Sequence, residues 1–95
     1  MKLLAIEHEV PGKTAPDFVP HLRTEAQRVW ELSQAGVIRE SYFRADRNEA
    51  VLVLECAGVE EAEELLDSLP LVRAGLIQFE IIPLKAYPGF ARLFE

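Results

Sequence analysis

The chain has 95 residues, of which 49% are hydrophobic and 27% charged, and its formal net charge is −6. That length allows one domain with an adequate but not generous core, and the apolar share excludes a disordered chain. The acidic balance argues against a nucleic-acid partner and disfavours anionic membrane surfaces, since both recruit clustered Lys and Arg.

A single cysteine, Cys56, excludes an intrachain disulfide and fits a reducing compartment. The N-terminal apolar run Leu3-Leu4-Ala5-Ile6 ends at Glu7, too short for a signal peptide or a membrane span, so a cytoplasmic protein is expected. The sequence contains no CxxC, no Gly-rich phosphate loop and no HExxH.

Lys2 to Val10 reads as a strand closed by the turn signal Pro11-Gly12. Alternation places His8 on one face with Leu4 and Ile6, and Glu7 on the other with Leu3 and Ala5. Thr14-Ala15-Pro16-Asp17 opens a helix: Thr14 caps it, Pro16 suits its first turn and Asp17 sits at the positive dipole end. Pro20 is close enough to that first turn not to break it. Phe18, Leu22, Ala26, Val29 and Ser33 recur at helical spacing, bordered by His21, Glu25, Arg28 and Leu32, and Gly36 ends the helix.

Val37 to Ala45 is the second strand. Simple alternation puts Ile38, Glu40, Tyr42 and Arg44 on one side, and Val37, Arg39, Ser41 and Phe43 on the other. The polar turn Asp46-Arg47-Asn48 predicts a hairpin with Ala50 to Cys56, a strand apolar on both faces. Gly58 to Leu69 reads as a second helix, with Ala62, Leu65, Leu66 and Leu69 buried, its glutamates solvated, and Pro70 as its stop. Leu76 to Pro83 is the last strand.

This β-α-β-β-α-β order predicts an α+β, ferredoxin-like fold, with a four-stranded antiparallel sheet carrying both helices on one face. Because the strands are apolar on both faces, the second face must also be covered, most simply by a second copy pairing sheet to sheet in a two-fold dimer. Residues 1–84 form the domain. Residues 85–95, broken by Pro88-Gly89 yet carrying Tyr87, Phe90, Leu93 and Phe94, read as an arm laid on the partner subunit.

Gly36, Arg39, Arg44 and the Leu69-Pro70-Leu71 bend carry a resemblance to the muconolactone isomerase-like branch of the dimeric α/β-barrel superfamily. In that branch a helix ends in Gly, the next strand carries an Arg and then an aromatic followed by Arg, and a later helix ends in Leu-Pro-Leu before the last strand. Two departures, the long bend Val72-Arg73-Ala74-Gly75-Leu76 and the Gly-free turn Asp46-Arg47-Asn48, leave the substrate open. The resemblance implies a pocket between helices and sheet, a homodimer with higher homo-oligomers in reach, and a proton shift beside a lactone carbonyl with neither metal nor organic cofactor. Such a reaction needs a group to remove a proton, a group to return it, and a donor or cation for the developing oxyanion.

Polar residues that face the helices are the ones to examine. His8 has the right chemistry for proton transfer near neutrality, against the plain alternative of a surface histidine. His21 with Glu25, one turn apart, can form a base oriented by a carboxylate, or merely an exposed pair. Tyr42 can donate to a substrate carbonyl, and Arg39 or Arg44 can hold a carboxylate, although Arg39 and Tyr42 both reach a pocket only if a bulge intervenes. Glu80, between Phe79 and Ile81, is either a buried carboxylate with a raised pKa or an ion-pair partner in the dimer interface. His8, His21 and Tyr42 are thus the catalytic candidates, with Glu25, Arg39, Arg44 and Glu80 as substrate-binding candidates. The function expected is a small cofactor-independent isomerase acting on a lactone or aromatic-derived acid. The alternatives are a non-catalytic binding or assembly subunit and a cofactor-independent monooxygenase.

Overall fold

A computed structural model describes all residues from Met1 to Glu95. Strand β1 (Lys2–Glu9) is followed by a short helix α1 (Ala15–Phe18), a 3-10 turn (Val19–His21) and the long helix α2 (Leu22–Gln34). Then come β2 (Ile38–Phe43), β3 (Ala50–Glu55), α3 (Val59–Leu66), a one-turn helix α4 (Pro70–Arg73), β4 (Ile77–Pro83) and a terminal 3-10 segment (Gly89–Phe94). The sheet order is β2-β3-β1-β4 with every pair antiparallel. This is the ferredoxin-like α+β fold.

Two proline effects refine the predicted helices. Pro20 has no N–H to continue an α-helical ladder, so the first helix passes through a 3-10 turn at Val19–His21 before resuming as α2. Pro70 does more than end a helix. It drives the preceding residue, Leu69, to an extended conformation (φ −71°, ψ 131°) and itself occupies the first position of α4. That single turn closes at Gly75 (φ +75°), where Leu76 N–H donates to Leu71 O and Gly75 N–H to Val72 O. Helix α2 closes in the same way at Gly36 (φ +81°), with Val37 N–H donating to Leu32 O.

The core lies between the sheet and the helices. Leu3 and Ala5 of β1 and Ala50, Leu52 and Leu54 of β3 meet Leu32 of α2, Ala62 and Leu66 of α3, and Leu69. Glu7 lies on this same inner face, opposite Phe79 of β4, and is only 6% exposed. Along α2 only Leu32 is buried, so the N-terminal half of the helix stands off the sheet. On the outer face Leu4, Ile6, Val51, Val53 and Ile82 remain half-buried.

Strand β2 contains a register shift between Ile38 and Glu40. Arg39 is the extra residue, and its Nε donates to Gly36 O. Ile38 therefore faces inward opposite Leu54, and so do Ser41 and Phe43, opposite Leu52 and Ala50, while Glu40 and Tyr42 face outward. Unbroken alternation had grouped Ile38 with Tyr42; the bulge separates them.

After Leu84, whose N–H donates to Lys2 O at 3.0 Å, the chain leaves the sheet. Tyr87, Phe90, Leu93 and Phe94 are exposed, and Tyr87 and Phe90 pack edge to face with ring centroids 5.1 Å apart. The radius of gyration is 15.4 Å, well above the ~12 Å of a compact chain of this length.

Leu69 is fully buried where α3, α4 and the sheet meet. Leu69→Ala is expected to destabilise the fold by about 2–5 kcal/mol, read as a lower urea midpoint at unchanged m-value.

Candidate functional site

The gap under the N-terminal half of α2 is a cavity of about 400 Å³. Its walls are largely apolar and include Leu22, Ala26 and Val29 from α2, Leu69 and Leu71 from the α4 bend, and Phe43 and Phe79 from the sheet. The polar groups that enter it are few: Glu7 from β1, Glu25 from α2 and Ser41 from β2.

Glu7 is carried inward by the same alternation that buries Leu3 and Ala5. Burial pushes its carboxyl up to about 7, with the negative charges of Glu25, Glu49 and Glu9 adding to the shift and a hydrogen bond from the Ala50 backbone opposing it. Glu25 is held by the Leu-Pro-Leu bend. Pro70 has no N–H, so Leu71 carries the first free amide of α4, and it donates to Glu25 Oε1 at 2.9 Å. Desolvation raises the pKa of Glu25 as well, while that hydrogen bond and the nearby His21 oppose the rise. A second tie, from Arg28 Nε to Ser68 Oγ at 2.8 Å, fixes α2 against the end of α3.

The structure distributes the residues singled out from sequence over three places. Glu25 enters the cavity, with His21 beside it at the start of α2 but outside the lining. Tyr42 borders the cavity, yet its hydroxyl is turned to the outer face and donates to Glu40 at 2.6 Å. His8 and Glu80 lie together on the outer face, both exposed, with His8 Nε2 3.4 Å from Glu80 Oε1. Glu80 is therefore not a buried carboxylate. Its partner across the ladder is Ile6, which shares that outer face.

Arg39 is exposed and engaged by Gly36 O at the bulge. Arg44 makes a two-pronged contact with Asp46, Nε to Oδ1 at 2.9 Å and NH2 to Oδ2 at 2.6 Å, and stands 4.0 Å from Glu49. Neither arginine lines the cavity.

Glu7 escaped notice as a candidate although its face was legible: a carboxylate in step with Leu3 and Ala5 must be buried. Glu49 is a second buried acid, and its Oε2 accepts the Glu9 N–H at 2.9 Å, tying the β2–β3 hairpin to the end of β1.

A carboxyl whose folded pKa lies above its unfolded value favours folding fully below the unfolded value, and that contribution is lost as pH rises through the folded one. For Glu7 the window runs from 4.5 to about 7. The protein is expected to lose stability between those limits, by about 3.4 kcal/mol at most, which screening by cavity water reduces. Glu7→Gln should flatten much of this slope and raise the melting temperature at pH 8 more than at pH 5, as measured by thermal unfolding across that range.

Comparison with known proteins follows the same outline. No curated protein sequence matches the chain. Among solved structures, muconolactone isomerase superposes with a TM-score of 0.76 at 19% identity, covering 93% of this chain and 92% of that one. The 5-chloro-2-hydroxyhydroquinone dehydrochlorinase of Burkholderia phenoliruptrix AC1100, solved with 2,5-dihydroxybenzoquinone, superposes with a TM-score of 0.73 at 15% identity, covering 94% and 98%. At these identities the superpositions establish the fold. The family model for muconolactone delta-isomerase matches residues 3–89, from the start of β1 into the tail, and with nearly the whole chain inside that match the protein belongs to the muconolactone delta-isomerase family.

Proposed function

We propose that the protein is a cofactor-independent enzyme of isomerase or lyase type that moves a proton on a small cyclic carbonyl compound bound between α2 and the sheet. One observation carries this reading: two carboxyl groups, both pushed upward by burial, line a single apolar cavity. A buried carboxylate beside a second negative charge is a base strong enough to take a proton near neutral pH.

In this mechanism the Glu7 carboxylate takes a proton from the carbon next to the carbonyl. The C–H electron pair becomes a carbon–carbon double bond, and the carbonyl π electrons move onto oxygen. The hydroxyl of Ser41 supplies a hydrogen bond to that oxygen, while Glu25, fixed through Leu71 N–H, raises the basicity of Glu7 by its negative charge. Glu7 then returns its proton to the far carbon of the conjugated system, and the double bond shifts. A leaving group on the ring would turn the same first step into an elimination, and the isomerase and dehydrochlorinase names of the two structural relatives support both outcomes. His21 acts beside Glu25 as an electrostatic partner.

The functional unit in this reading is a homodimer. The half-buried outer face of Leu4, Ile6, Val51, Val53 and Ile82 supports sheet-to-sheet pairing, with the His8–Glu80 pair inside that contact, and the exposed aromatic tail serves as an arm on the partner. Val53→Glu should then halve the sedimenting mass while circular dichroism stays native; an unchanged mass in ultracentrifugation would remove the sheet-to-sheet dimer.

The chemical test is proton NMR in deuterated buffer with muconolactone and with α-angelica lactone, following the hydrogens next to the carbonyl. Protein-dependent exchange or double-bond migration is expected with at least one lactone. Glu7→Gln should slow it about 10²–10⁴-fold in a folded protein. No exchange from folded wild type, or undiminished exchange by the variant, would sink the proposal.

A further inference from the structure

We infer that Glu49 is a positioning residue for Glu7: its carboxylate holds the far end of β1 in line and sets a fixed negative charge behind the Glu7 carboxyl. The inference rests on the reading of Glu7 as the base and adds the group that aims and tunes it.

The pairing of β1 shows where such a group is needed. Its ladder with β4 runs on to Glu9, opposite Ile77, but its ladder with β3 ends at Ile6, opposite Val51. The last residues of the strand, Glu7 among them, are therefore in register with β4 alone. On the other side two adjacent residues of the β2–β3 hairpin take the place of the missing ladder. Glu49 Oε2 accepts the Glu9 N–H at 2.9 Å, and the Ala50 backbone donates to the Glu7 carboxyl. One contact holds the backbone of the strand end, and the other holds the side chain that enters the cavity.

Glu49 is itself firmly set. It is buried, its N–H donates to Arg47 O, and its carbonyl accepts the Arg44 N–H, both at 2.9 Å. Arg47 NH1 stands 3.6 Å and Arg44 NH1 4.0 Å from its Oε1. It lines neither the cavity nor the neighbouring hollow that shares Glu7 with it, so its influence on the chemistry passes through Glu7.

A neutral amide oxygen could accept the Glu9 N–H as well. The charge adds a second effect, because a carboxylate near Glu7 makes the ionised Glu7 a stronger base. Glu25 from α2 and Glu9 from β1 act on Glu7 in the same sense. At the cavity β4 presents Phe79, α4 presents Leu71 and β2 presents the neutral Ser41. Among the cations, Lys13 lines the neighbouring hollow and His21 stands beside Glu25. Arg28 is engaged by Ser68 and Glu31, Arg39 is engaged by Gly36 O, and Arg23 and Arg73 are exposed. None of these four arginines lines the cavity or the hollow. Removing the Glu49 charge therefore acts on the Glu7 carboxyl in one direction, downward.

The test compares Glu49→Gln, which keeps the acceptor and removes the charge, with Glu49→Ala, which removes both. The Glu7 carboxyl is titrated by NMR with 13C-labelled glutamate, its signal identified by its absence in Glu7→Gln. Its midpoint is expected to move down from about 7 by several tenths of a pH unit in both variants. The Glu9 amide should stay protected from deuterium exchange in Glu49→Gln and lose that protection in Glu49→Ala. Lactone exchange should slow severalfold in Glu49→Gln, with the rising limb of its pH profile moved down with the carboxyl. It should slow about tenfold or more in Glu49→Ala, where the aim of Glu7 is lost as well.

A Glu7 midpoint unmoved by Glu49→Gln would overturn the inference, since Glu49 would then be a structural tie alone. So would lactone exchange by Glu49→Ala as fast as by wild type. Either result, with exchange intact in wild type, leaves the reading of Glu7 as the base standing. Wild type without exchange, in a protein whose Glu7 midpoint still falls in Glu49→Gln, refutes the chemistry and not the coupling of the two acids.

Discussion

The hydrogen bond from Leu71 N–H to Glu25 joins the α4 bend, the long helix α2 and the cavity between them. It is short-range chemistry with long-range consequences, linking residues 46 positions apart. Leu71, at the second position of α4, has an amide that no earlier carbonyl in the helix can take. Glu25 reaches across from α2 to accept it, so the bend and the helix fix each other. The same bend places Leu69 and Leu71 against the cavity, and the same glutamate presents a carboxyl inside it.

This coupling explains why a cavity survives in so small a domain. Helix α2 packs tightly at Leu32 and is tied to α3 through Arg28 and Ser68. Its other half is held away from the sheet by the 3-10 turn at Pro20 on one side and the Glu25–Leu71 contact on the other. A continuous helix with a uniform apolar stripe could lie flat on the sheet and fill the space. Here the small side chain of Ala26 and the polar one of Glu25 face a volume that the core side chains do not reach.

The element order, the strand faces of β1 and β3 and the glycine end of α2 were readable from residue pattern, because each follows from local geometry. Period-two alternation in β1 was enough to bury Glu7, had the charge been followed inward instead of toward the histidine next to it. The β2 assignments were harder. A bulge leaves no sure mark in sequence, and one extra residue at Arg39 reversed the relation between Ile38 and Tyr42. The arginines illustrate a second limit. Arg44 looked available for an anionic ligand, yet two residues later Asp46 supplies a carboxylate at bonding distance, and only the turn geometry decides which partner wins.

The acidic balance of the chain acquires a local meaning at this site. Most of the surplus acids, including Glu60, Glu63 and Glu64 on α3, are exposed and are consistent with a solvated helix face. Glu7 and Glu49 are different, because they are buried. A buried acid at the end of β1 weakens folding at alkaline pH, and a fold under no functional demand would replace it with an apolar residue continuous with Leu3 and Ala5. Glu49 has a structural role that offsets its burial: it receives the Glu9 amide and attracts Arg47. Glu7 has only the Ala50 backbone to set against its desolvation, and it opens onto a cavity where a ligand can meet it. The stability forgone at that position is the physical reason to place the proton-transfer chemistry there and not on the better-solvated His8.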